Sequence, residues 1–224
     1  KKLILSGILL SISVVSKFSI LAGLPFICIY IIKRYGLDKF FIKFIVSFLL
    51  SNLILFFPFF LSSGFNQMVL GTREINRLYY VYINYGNDLK LYIIPLAYLF
   101  SLFLILRIKR ITQDLFILSL GLGFLSIIVF LPPAPAWSIW IVPFLVFYQI
   151  ISKKDLVLIT FIYSLVVILN TIYLSDNISI NLFNSDFNYQ FLDEIKDYKK
   201  FHNILFTIQQ SISFLLTIRI YIYI

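Results

Sequence analysis

The chain is poor in the residues on which most soluble chemistry rests. Its one cysteine, Cys28, lies inside an apolar run, which excludes a disulfide or a cysteine metal cluster within the chain. Its one histidine, His202, has no partner at metal-ligand spacing and reads as a satisfied interfacial histidine. No metal site is expected. No dinucleotide-binding fingerprint, phosphate loop or zinc-protease motif occurs. Charged residues make up 13% of the 224 positions, where a soluble domain carries about a quarter. No small-residue cleavage site follows Lys1, Lys2 and the first apolar stretch, so no secretory signal pattern is read there. The only methionine is Met68, and the first residue is Lys1, so the chain is expected to be a piece of a longer protein.

What fills the space is hydrocarbon. Residues are 61% hydrophobic and 19% aromatic. Isoleucine, phenylalanine, tyrosine, lysine and asparagine are all abundant, the bias of an AT-rich genome, so the 25 Phe and 15 Tyr do not by themselves mark a binding surface. Apolar runs separated by charged or turn-rich punctuation predict eight spans, at 3–15, 18–32, 41–61, 91–106, 115–131, 137–151, 156–174 and 204–224. Several fall short of the ~20 residues of a perpendicular span, and borrowed interfacial residues or burial in a bundle make up the difference. The first two runs share a single charge, Lys17, and could form one long helix. The predicted class is all-α: a polytopic integral membrane bundle of about eight transmembrane helices, with 1–224 as one membrane-embedded domain.

Charge placement sets the orientation. The net charge of +9 is dispersed between apolar runs, which argues against nucleic acid as a partner. If Lys1 and Lys2 face the same side as Lys33, Arg34, Lys39 and Lys43, an even number of spans separates them. Alternation then puts Arg107, Lys109, Arg110, Lys153, Lys154 and Arg219 on that side too, 12 basic residues in all. The other side receives Lys17, Arg73, Arg77, Lys90, Lys196, Lys199 and Lys200, 7 in all. The richer side is read as cytoplasmic. Two long extracytoplasmic loops follow, at 62–90 and 175–203, each with aromatics at intervals and each expected to be partly structured at the membrane interface. Function is expected on that face.

Four residues stand out there. Lys17, in "VVSKFS", sits almost alone between apolar runs; it either snorkels at a helix hairpin or contacts an anion. Arg73 and Arg77, in "GTREINRLYY", share a helical face and suit the oxygens of a phosphate, or form with Glu74 a surface cluster on lipid head groups. Asp186, Asp193, Glu194 and Asp197 alternate with lysines and read as a solvated amphipathic face before an acid–base pair. In "FLPPAPAWSIWIVPF", Pro132, Pro133 and Pro135 stiffen a short outer turn, and Trp137 and Trp140 lie at interface depth. Simple anchoring explains the tryptophans; a rigid turn beside polar loops also makes Trp137 a substrate-binding candidate.

The segment "SGILLSISVVSKFSILAGLPFICIYIIKRYG" resembles the paired-helix segment of membrane-embedded glycosyltransferases of the GT-C class, at Gly7, Lys17, Pro25 and Lys33–Arg34. "SNLILFFPFFLSSG" is similar to the next helix of such enzymes. "FLPPAPAWSIWIVPFLVFY" resembles a later region with a proline-containing outer turn and a W-x-x-P helix, here Trp140 and Pro143. The likeness runs over residues 3–151. It implies a bacterial or archaeal cytoplasmic-membrane protein of envelope polysaccharide assembly, acting on a polyprenyl-phosphate-linked sugar donor, with a glycan or lipid acceptor and membrane lipids as surroundings. It implies no cofactor beyond that lipid-linked donor. In that family the catalytic acidic residue follows the first transmembrane helix, in the first outer loop. No residue here takes that place, so the catalytic half is expected upstream of Lys1. A polysaccharide polymerase, flippase or transporter is the alternative; a transport path would put polar groups inside the spans, and these hold only Asn52, Asn170, Gln209 and Gln210, with Arg219 near an end.

Overall fold

The computed structural model describes residues 2–67, 76–86, 88–131, 139–152, 157–174 and 198–224. Its helices are α1 (Lys2–Ser16), α2 (Leu24–Tyr35), α3 (Lys39–Phe60), α4 (Ile93–Arg107), α5 (Gln113–Ile128), α6 (Val142–Ser152), α7 (Val157–Leu174) and α8 (Tyr198–Tyr223). A 3₁₀ segment, Phe18–Gly23, leads into α2, and strands β1 (Tyr82–Asn84) and β2 (Lys90–Tyr92) form an antiparallel hairpin before α4. Each helix coincides with one predicted apolar run, so the all-α class holds, with the hairpin as its one sheet among the described residues. Three segments are long and apolar enough to cross a membrane: Phe18–Tyr35, Lys39–Phe60 and Asn203–Tyr223. The other apolar helices are shorter.

The chain divides into two compact units, Lys1–Leu131 and Pro132–Tyr223. In the first, local chemistry sets the helix ends. Ser13 and Ser16 hydroxyls donate back to Leu9 and Ile12 carbonyls, a habit that weakens and bends helices. Lys17 then turns extended (φ −152°, ψ 103°) and ends α1. Pro25 sits in the first turn of α2, where no donor is lost. Gly36, at φ +78°, ends that helix in a conformation that favours glycine. Thr112 accepts from the Leu115 amide (3.2 Å) to cap α5, with Asp114 in its first turn.

Cross-helix pairs give the directions. On α1, Gly7 lies against Phe44, Ser47 and Phe48 of α3, and Ser11 against Phe48 and Asn52. Val14 clusters with Phe48 and Phe56. Contacts climb both helices together, so α1 and α3 run parallel and the segment between them must return. The first two apolar runs are therefore two helices, broken at Lys17. Just before α2, the Ala22 carbonyl accepts from the Tyr98 hydroxyl (2.5 Å), and at its far end Lys33 reaches Leu106, so α2 and α4 are parallel. Tyr30 stacks on Phe116 (4.3 Å) and Phe26 lies against Gly123, so α5 runs the other way.

These directions gather the starts of α1 and α3 and the ends of α2 and α4. Lys2, Lys33, Arg34, Lys39, Lys43, Arg107, Lys109 and Arg110 thus belong to one end of the first unit. Lys33 Nζ donates to the Leu106 carbonyl (2.6 Å) and to that of Ile108, occupying carbonyls that the end of α4 leaves open. Outward faces of α3 and α4 are apolar: Ile54, Phe57, Leu99 and Phe103 are all exposed. A surface of this kind suits hydrocarbon rather than water.

In the second unit, Tyr148 on α6 meets α8 through its ring contact with Tyr223 (5.7 Å) and its hydroxyl, which donates to the Arg219 carbonyl (3.4 Å). Asn170 on α7 donates to the Gln209 side chain on α8 (2.5 Å). Tyr163, Val166, Val167, Leu205, Leu216 and Ile220 are buried beside this seam.

Candidate functional site

The far end of the first unit, opposite its basic cluster, is where the chain leaves the helices. Lys17 stands there at the extended residue between α1 and the 3₁₀ segment, exposed. The next residue, Phe18, packs its ring edge-on to Phe56 (6.5 Å), which ties the break to the upper part of α3. Beyond α3 the Ser62 hydroxyl accepts from the Phe65 amide (3.4 Å), and Phe65 folds back on Phe56 (5.6 Å).

Arg77 enters the same end from the chain's other direction. It is half-buried in a turn in which Tyr80 donates to its carbonyl (3.2 Å), just before the hairpin. The hairpin pairs Tyr82 with Tyr92, Ile83 with Leu91 and Asn84 with Lys90. Its loop closes through Tyr85 N–H to the Leu89 carbonyl (2.9 Å), with Gly86 at φ +84° and Asp88 at φ +61°, left-handed positions that glycine and aspartate tolerate. The Ile93 amide donates to Val81 (3.0 Å), so β2 passes into α4 without a linker. One hairpin face carries rings and a cation: Tyr79 and Tyr82 both pack edge-on to Tyr92, and Lys90 Nζ lies 4.6 Å from the centre of the Tyr82 ring.

Of the four sequence candidates, Lys17 and Arg77 belong to this one end, while Arg73 and Trp137 lie outside the described residues, as do the proline turn and the acidic run from Asp186 to Asp197. Lys17, Arg77 and Lys90 are the cations of this end among the described residues of the unit. An exposed ammonium and a half-buried guanidinium at one end of the unit can hold an anion such as phosphate, the guanidinium with paired donors. Among the described residues no group of three His, Cys, Asp or Glu side chains could hold a metal ion.

The hairpin was missed as a strand pair, although "YGND" between alternating residues is a turn signal. The polar groups inside the apolar runs were seen, but not what they do. Asn52 Nδ2 donates to Ser11 Oγ (2.7 Å) and to the Phe48 carbonyl (2.9 Å), and Ser11 Oγ donates to that same carbonyl (2.7 Å). With the Asn170–Gln209 pair, these amides join neighbouring helices, the usual use of such groups in apolar surroundings.

Comparison with protein-family models, with curated proteins and with solved structures finds no match to this chain.

Proposed function

We propose that this chain is part of a multi-pass membrane glycosyltransferase of the kind its sequence resembles, with eight spans, both termini cytoplasmic and its working end outside. Lys17 and Arg77 hold the phosphate of a polyprenyl-phosphate-linked sugar donor, and Arg73 and Trp137, which lie outside the described residues, are the further sequence candidates for donor or acceptor binding. In an enzyme of that kind an acidic residue serves as general base on the acceptor hydroxyl, and the cations stabilise the departing phosphate. The observation that carries the reading is the segregation of charge along the first unit. Eight basic residues gather at one end, as cytoplasmic cations do, and Lys17, Arg77 and Lys90 are set apart at the end where the aromatic hairpin emerges. A bacterial or archaeal cytoplasmic membrane and an envelope-glycan acceptor complete the proposal.

The transporter alternative needs polar groups that line a path. Asn52 and Asn170 instead bond across helix seams, which favours the enzyme reading. The test is binding of polyprenyl phosphate to the purified chain in lipid nanodiscs, read by native mass spectrometry against the uncharged polyprenol. The phosphate form is expected to bind better. Lys17→Ala and Arg77→Ala are each expected to weaken it about tenfold, the worth of one charge-assisted hydrogen bond at ~1.5 kcal/mol. Equal retention of the alcohol and the phosphate overturns the assignment.

A further inference from the structure

The β1–β2 hairpin has two unlike faces. Alternation along a strand puts Tyr82, Asn84, Lys90 and Tyr92 on one side and Ile83, Tyr85, Leu89 and Leu91 on the other. The first face carries the ring contacts and the lysine over Tyr82. The second is wholly apolar or aromatic, and its tip is bare: Ile83 is 50% exposed, Tyr85 71% and Leu89 66%. An isolated two-stranded hairpin is marginal in water, and this one leaves the tip of its apolar face largely exposed, with only Leu91 at its base half-buried.

What covers it follows from continuity. The second strand runs straight into α4, whose exposed residues Leu96, Leu99, Phe100 and Phe103 form an apolar surface suited to lipid. The hairpin therefore starts where that surface ends, at the end of the unit opposite the basic cluster. Tyrosine is at home at that depth, with its ring in the boundary and its hydroxyl in water. We infer that the hairpin is a membrane-interface anchor. Its Ile83–Tyr85–Leu89 face lies against the outer lipid leaflet and its Asn84–Lys90 face is turned to water. By analogy with amphipathic helices, whose apolar side enters about 5–10 Å, the tip residues reach the boundary of head groups and acyl chains. Lys90, held over Tyr82 on the wet face, is then at the height of lipid phosphates. The inference depends on the chain being in a membrane and not on glycosyl transfer.

The experiment uses the whole chain with Cys28→Ser and single cysteines at Leu89, Ile83 or Asn84, positions whose exposure lets a label be added without repacking. Each variant is labelled with an environment-sensitive fluorophore and reconstituted in vesicles of phosphatidylethanolamine and phosphatidylglycerol. Labels at Leu89 and Ile83 are expected to be quenched several-fold more by a shallow nitroxide lipid than by iodide, and the label at Asn84 the reverse. Equal iodide access at the three positions overturns the inference. So does protection of Leu89 and Ile83 that shows no nitroxide quenching and fades as lipid dilutes the protein, since that assigns the face to a second copy of the chain. Binding of polyprenyl phosphate is read separately, so its failure leaves this result standing.

Discussion

Replacing Gly7 by alanine tests the seam on which the first unit is built. A methyl carbon at Gly7 would sit 2.1 Å from Ser47 Oγ, 2.7 Å from the Phe44 carbonyl oxygen and 3.0 Å from the Phe48 nitrogen. The serine hydroxyl can rotate away. The carbonyl belongs to the backbone of α3 and cannot. Restoring ordinary contact, which begins at 3.4 Å, opens the α1–α3 spacing by about 0.7 Å. One turn along α1, Ser11 holds the Phe48 carbonyl at 2.7 Å and Asn52 holds Ser11 at 2.7 Å. An opening of that size carries such bonds past their ~3.2 Å limit. Overpacking costs about 1–3 kcal/mol, and each interhelical hydrogen bond in apolar surroundings is worth about 0.6 kcal/mol. Against this stands the better helix propensity of alanine, about 1 kcal/mol. The expected net loss is therefore about 1–3 kcal/mol. The assay is sodium dodecyl sulfate titration of the purified chain in mixed micelles, followed by far-ultraviolet circular dichroism and by the reactivity of Cys28, half-buried in α2 of the same unit. Adding Ser47→Ala should recover only part of the loss, because the Phe44 carbonyl remains. Ser6→Ala, on an exposed residue bonded only within its own helix, should be silent. A Gly7→Ala chain as stable as the parent, or more so, would refute the close approach, because propensity alone would then have decided the sign.

Two further outcomes bear on the second unit and on orientation. Asn170→Ala and Gln209→Ala should each destabilise by about 1–2 kcal/mol, and the double variant by less than their sum, because either change alone disrupts the same buried amide pair; strict additivity in the same titration would dissolve the pairing. In sealed cells carrying Cys28→Ser, a cysteine at Ser63 should react with an impermeant thiol reagent from outside and one at Lys109 should not. Labelling at Lys109 would reverse the proposed orientation.

The sequence by itself determined where the helices lie. Length and apolarity of a run are local properties, and every predicted run from 3–15 to 204–224 overlaps a helix, although some starts differ by as much as six residues, as at 198 against 204. Within the first unit it also indicated which cations share an end, because two successive antiparallel helices between them return Arg107 to the end that holds Lys33. The break at Lys17 was half-written in the chain. Charge counting called for two helices, but only the parallel packing of α1 on α3 made a return segment necessary. For the candidate site, the residue types at Lys17 and Arg77 were readable, and their common location followed from the helix directions. The ladder of the hairpin and the lysine seated over Tyr82 were not readable, since "YYVYINYGNDLKLYI" shows aromatics at intervals and the pairing of Tyr82 with Tyr92 exists only once the turn has closed. The apolar interiors show the same division. Gly7, Ser11 and Asn52 look like small or stray polar residues in a hydrophobic text. Their meaning depends on partners 37 and 41 positions away, because close helix contact and a shared carbonyl are relations between segments that local propensity does not encode.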